Sequence, residues 1–258
     1  MTATIAPPVI ATDVSIEGRR FYVRMAAVCV AIAMTGFAPT YWMPLARGTL
    51  HVSPVVHVHG AFFFGWTIFF LAQTWLAGSG NITRHRELGV AGVALATGMC
   101  FLGYAVAVNA IRRSDSLGFG HAGRAFSIVS FSGIAFFAVV VAIALLNVKN
   151  GEIHKRLMFV ATTSILSAAI GRWFLVLFAP QGAATPSPPP LAVTIPASLL
   201  SNLLIVAGMI YDRRTRGRVH PVYWIAGAAL LILELGRIPL GNTSGWLRMT
   251  DWLVAFVP

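Results

Sequence analysis

Residues 125–148, AFSIVSFSGIAFFAVVVAIALLNV, run for 24 residues without a charge between Arg124 and Lys149. At about 1.5 Å per residue, a helix of that length crosses a hydrocarbon core about 30 Å thick. Working outward from it, charges delimit six further apolar runs at 25–46, 55–78, 88–111, 157–179, 191–211 and 222–241. The expected fold is therefore all-α, an integral membrane bundle of seven transmembrane helices over 19–245. Residues 1–18 are then an N-terminal cytoplasmic segment, and 246–258 a short interfacial segment lying along the membrane surface.

Composition agrees. Of the 258 residues, 57% are apolar and 10% charged, against about 25% charged in a soluble domain. Met1 to Gly18 lack both a basic n-region and an apolar h-region, so insertion is expected to rely on the first span. That span carries Pro39 and Pro44; proline near a span end is tolerated where neighbouring groups satisfy the freed backbone. Cys29 and Cys100 fall inside apolar runs and read as small hydrophobes, not as a disulfide or a CxxC site.

The net charge is +11, but its placement argues against nucleic acid as a partner. The bases are scattered between hydrophobic runs, as topology signals and contacts to anionic membrane lipids are. With the N-terminus inside, the inner segments hold 12 lysines and arginines and the outer segments 5. N-inside and C-outside is therefore expected, in a bacterial inner membrane. Tryptophans and tyrosines near both ends form the usual aromatic belts. The stretch from Ala179 to Pro190, with five prolines and no charge, reads as an outer loop.

One internal repeat is visible. His85-Arg86-Glu87-Leu88 opens span three and His154-Lys155-Arg156-Leu157 opens span five, 69 residues apart, each after a short polar loop. His220 stands just before span seven. Taken singly, interfacial histidines are ordinary amphipathic boundary residues. Taken as an inner trio, His85, His154 and His220 gain a second reading. A helix N-terminus carries positive partial charge, which disfavours imidazolium and leaves a neutral ring suited to binding metal.

On the outer side stand His51, His57, His59 and His121. His59 lies about four residues, roughly 6 Å, inside the hydrocarbon, where a polar group is a functional candidate or a partner for a neighbouring helix. The charges within spans, Arg172, Glu234 and Arg237, are expected within about 5 Å of one another in depth. They read either as an interhelical ion pair or as a buried charge cluster with one arginine free for an anion. His59 is expected at a similar depth, so the four could share one cavity. Gln73 and Asn202 are expected to make interhelical hydrogen bonds. The phenylalanines of 62–70 read as packing. No nucleotide-binding glycine pattern, HExxH or nucleophile elbow is present.

His59-Gly60 with Trp66, His85-Arg-Glu-Leu-Gly89, His154-Lys-Arg-Leu-Met158 and the loop from Asp212 to Pro221 resemble a group of multi-pass bacterial membrane proteins with no assigned activity. The likeness covers most of the chain from about residue 20. More distantly, the chain is similar to the transmembrane di-haem cytochromes b. Those place a histidine-glycine pair followed by tryptophan in one helix, and a histidine four residues before a glycine in the next. That resemblance implies b-type haem held by crossed pairs, His59 with His121 outside and His85 with His154 inside. His121 lies four residues outside its span, so straight helices leave it roughly 12 Å from His59 in depth.

The resulting expectation is electron transfer through haem b or another metal. Its alternatives are an accessory or assembly subunit of a larger membrane complex, with no cofactor, and a small-anion carrier using Arg172, Glu234 and Arg237.

Overall fold

The computed structural model describes residues 10–178 and 187–256. Residues 1–9 of the N-terminal segment, most of the proline-rich loop and the last two residues lie outside the described residues. The elements in order are α1 (Ile10–Phe37), α2 (Met43–Ala46), α3 (Pro54–Gly78), α4 (Ile82–Ser116), α5 (Gly120–Leu146), α6 (Gly151–Ser164), α7 (Ser167–Phe178), α8 (Thr194–Arg216), α9 (Pro221–Gly241) and α10 (Ser244–Ala255). No strand occurs among the described residues.

Among the described residues, seven segments are long and apolar enough to cross a membrane: Arg20–Ala46, Pro54–Gly78, Ile82–Ser116, Gly120–Leu146, Gly151–Phe178, Leu191–Arg216 and Pro221–Gly241. They match the seven runs delimited by charge, and among them Ile82–Ser116 extends furthest past its run of 88–111. Where a short turn joins two consecutive spans, it makes them antiparallel neighbours. The α3–α4, α5–α6 and α8–α9 turns gather at one end with the start of the first span, here called the basic end. The α4–α5 and α9–α10 turns gather at the far end.

Two spans depart from regularity. In the first, Pro39 cannot donate to the ladder, and a turn of π-helix over Ala38–Trp42 replaces the α-helix. In the fifth, the helix breaks between Ser164 and Ser167. The Thr163 carbonyl at the break accepts the Ser201 hydroxyl of α8 at 2.8 Å, so a neighbouring helix satisfies what the break exposes.

The aromatic face of α3 packs on glycines of α4. A Cβ on Gly92 would meet Phe69 at 2.6 Å, so the two helices approach as closely as they do only because that side chain is missing. Trp66 is fully buried; its Nε1–H donates to Thr162 of α6 at 3.1 Å and its ring stands edge-on to Phe137. It is part of the core. The tail forms α10, fixed by Trp246 Nε1 donating to the Arg124 carbonyl at 2.9 Å and by Arg124 Nε donating to Asp251 at 2.9 Å.

Candidate functional site

Asn81 and Asn150 build the two histidine turns. Each caps its helix: Asn81 Oδ1 accepts from the Arg84 amide at 3.4 Å, and Asn150 Oδ1 accepts from Glu152 and Ile153 at 3.2 and 3.3 Å. Side-chain oxygens of this kind satisfy the orphan amides of a first helical turn. Each asparagine carbonyl also accepts the amide of the histidine four residues on, at 3.1 Å for His85 and 2.9 Å for His154. The repeat is therefore longer than it reads, Asn-x3-His-base-x-Leu or Asn-x3-His-x-base-Leu, and the cap was legible in the sequence at the same 69-residue offset.

The two turns meet. The His85 and His154 rings lie 6.4 Å apart between centroids with their planes at 78°. His154 Nδ1 is 2.8 Å from the Ala144 carbonyl of α5. A carbonyl only accepts, so Nδ1 is the donor, and in the neutral tautomer that leaves the lone pair on Nε2. A backbone carbonyl on the far nitrogen is the usual support of a metal-binding imidazole. His85 lies beside the backbone of Gln73 in α3, and its Nδ1 is buried without a hydrogen-bond partner. Gln73 is 8% exposed, and neither of its amide atoms finds a partner. Three unsatisfied polar atoms on two adjoining residues is an unusual concentration for a native interior.

His220 goes elsewhere. It caps α9, its Nδ1 accepting from the Val222 amide at 3.2 Å, and its own amide donates to Asp212 at 3.1 Å. Burial, and then the nearby Arg156 guanidinium, hold its imidazole below the ordinary value. With Nδ1 taken as an acceptor, the ring is neutral and protonated at Nε2. Among the described residues no group of three or more His, Cys, Asp or Glu gathers to hold a metal ion. The inner histidines thus come together as two, with the third used as a cap.

Asp212 and Arg156 form the wired core of the basic end, a role that spacing alone did not show. Both side chains are 0% exposed. Arg156 Nε donates to Asp212 at 2.9 Å and Nη2 donates to its other oxygen, while Nη1 donates to Glu152 at 2.7 Å. Arg216 joins Glu152. Beside them, the Tyr22 and Tyr223 hydroxyls are 3.0 Å apart. The cluster ties α1, α6, α8 and α9. The available signal was that Asp212 and Glu152 are acids in segments otherwise crowded with bases.

The outer residues are more dispersed. His57 Nδ1 is 2.9 Å from the Tyr41 hydroxyl, and His51 is exposed beside an open cavity of about 660 Å³ with Arg112 and Arg113. His59 packs on Phe63 at 4.1 Å, beside the backbone of Leu102, and its Nδ1 is buried without a partner. His121 is exposed in the first turn of α5. Arg172 lies over the Phe37 ring at 3.8 Å and donates to the Ala168 carbonyl at 2.7 Å. Glu234 accepts from Asn202 of α8 at 2.6 Å, and Arg237 donates to Ser132 of α5 at 2.8 Å. The three charges of the sequence cluster therefore face three different neighbours, with no ion pair within 4.0 Å between any two of them.

Fold and site together define a seven-span helical membrane protein with one close histidine pair at its basic end. No protein-family profile, curated protein or solved structure matches the chain.

Proposed function

We propose that His85 and His154 are the two protein ligands of one b-type haem, in an electron-transfer protein of a bacterial inner membrane. The observation that carries this reading is the pair itself. Two imidazoles sharing one metal ion, at about 2.0–2.1 Å per metal–nitrogen bond, would have ring centroids up to roughly 6.5 Å apart; the rings stand at 6.4 Å. A bare zinc or copper site needs three or four protein donors. Haem would bring nitrogen donors of its own and would need only one or two from the chain. Two histidines, with no third donor beside them among the described residues, fit the second case.

Haem bound there would supply one-electron exchange. The chain's own part is to fix the ligands. Ala144 holds the His154 proton on Nδ1, and the Asn81 and Asn150 caps set both rings at the same turn of their helices. The exposed Arg84 and Arg86 beside His85 are suited to anionic propionates. The distribution of lysine and arginine supports placing this end on the cytoplasmic side, N-inside and C-outside.

The test is the absorption spectrum of the full chain purified in detergent, oxidised and reduced. A Soret band that shifts on reduction, and that His154→Ala and His85→Ala each abolish while the protein still elutes as one species, is the expected result. A protein expressed with ample haem that shows neither a Soret band nor bound iron overturns the reading, and leaves a cofactor-free subunit of a larger membrane complex in its place.

A further inference from the structure

At the far end, α5, α9 and α10 enclose a cavity of about 290 Å³. Ile128, Leu233, Trp246 and Met249 supply apolar wall, and Arg237 lies among them. Arg237 is 4% exposed. Its Nε donates to Ser132 Oγ at 2.8 Å, and Ser132 gives its own proton to the Ile128 carbonyl. No carboxylate among the described residues lies within 4.0 Å of the guanidinium. Glu234, three residues back on α9, turns instead to Asn202 of α8. A cation buried in a membrane span without a contact counter-ion is strongly unfavourable unless an anion joins it. This one borders a cavity with a largely apolar lining.

We propose that the cavity binds a single-chain amphipathic anion, with a carboxylate or phosphate head on Arg237 and an alkyl chain along the apolar wall. The guanidinium fork selects the head, because its donors match carboxylate and phosphate oxygens. The volume selects one chain, since it lies at the small end of the range for ligand pockets, roughly 300–1,000 Å³. Leu240 and Met249, both more than half exposed, edge the opening on the surface that lipid would cover. Nothing in this site draws on the histidine pair.

The test is equilibrium binding of radiolabelled dodecanoate to the full chain purified in an uncharged detergent. One saturable site is expected, displaced by unlabelled dodecanoate and not by dodecanol. Displacement by dodecyl phosphate extends the site to lipid phosphates, whereas its failure to displace narrows the ligand to free carboxylates. Arg237→Gln weakens binding by about tenfold or more, the loss of a charge-assisted hydrogen bond. Gly245 lines the cavity, is exposed, and a Cβ there meets nothing within 4 Å, so Gly245→Phe is accommodated at the cavity rim without displacing Arg237 and is expected to obstruct binding. Absence of saturable binding, displacement by dodecanol as strong as by dodecanoate, or Gly245→Phe affinity within about twofold of the parent overturns the proposal.

Discussion

Asn81 caps α4 and Asn150 caps α6, and each stands four residues before a histidine whose ring faces the other. Beyond that shared plan the two turns differ. In α6, the second residue after the histidine is Arg156, wholly buried and bonded to Asp212 and Glu152. In α4 the corresponding residue is Glu87, which is exposed. The His154 ring is held by the Ala144 carbonyl, whereas His85 Nδ1 and the adjoining Gln73 amide have no partner. One local pattern thus serves as a rigid, fully wired support on one side and an unsatisfied polar face on the other. A pair built this way has one ring fixed in tautomer and orientation, and one still able to accept what it lacks.

Asp212→Ala strikes the wired side and has the largest expected effect. It leaves Arg156 buried and short of its principal partner, at a cost of about 3–5 kcal/mol, read as a fall in unfolding free energy or the loss of extractable protein. Glu87→Ala, at the matching place in α4, is expected to stay within about 0.5 kcal/mol. Equal effects would erase the distinction between the turns.

Gln73→Leu strikes the unsatisfied side and acts in the opposite direction. Removing two unpaired buried amide atoms is expected to stabilise the cofactor-free protein by about 1–2 kcal/mol, measured by thermal unfolding in detergent. Destabilisation would show that Gln73 already has a partner.

The caps come next. Asn150 satisfies two amides and Asn81 one, so Asn150→Ala should cost about 1 kcal/mol and Asn81→Ala less, the usual scale for an N-cap. Amide exchange in the first turns of α6 and α4 reads the order directly.

The smallest effect concerns His220. Its imidazole value is lowered in the folded protein, by burial first and by Arg156 second, so the unfolded chain binds the proton more readily. Stability from this group is therefore complete above about pH 6.5, and declines as pH falls from there towards the lowered folded value. His220→Asn keeps a capping side chain and removes the titration. A melting temperature that falls less steeply between pH 6.5 and 5 in the variant is the expected outcome; identical slopes would place the pH dependence elsewhere.

The amino-acid sequence by itself determined the seven spans, because an apolar segment of some 20 residues with at most two charges has no stable place except in hydrocarbon or a deep core. It also determined the histidine turns, since capping asparagine and ring are four residues apart and helical geometry alone relates them. Asn202 was legible as an interhelical donor because a lone polar group in a span seeks a neighbouring helix, whereas Gln73, expected to do the same, has no partner for its amide. Tertiary structure decided what periodicity does not encode. Counting residues along the helices grouped Arg172, Glu234 and Arg237, but direction around the axis turned them to Phe37, Asn202 and Ser132. Arg156 counted as one more basic residue at a helix end until α8 brought Asp212 against it. Whether a charge near a span end is a topology signal or a buried pair depends on which helix lies beside it. That is settled by packing between segments 56 residues apart, and no local pattern carries it.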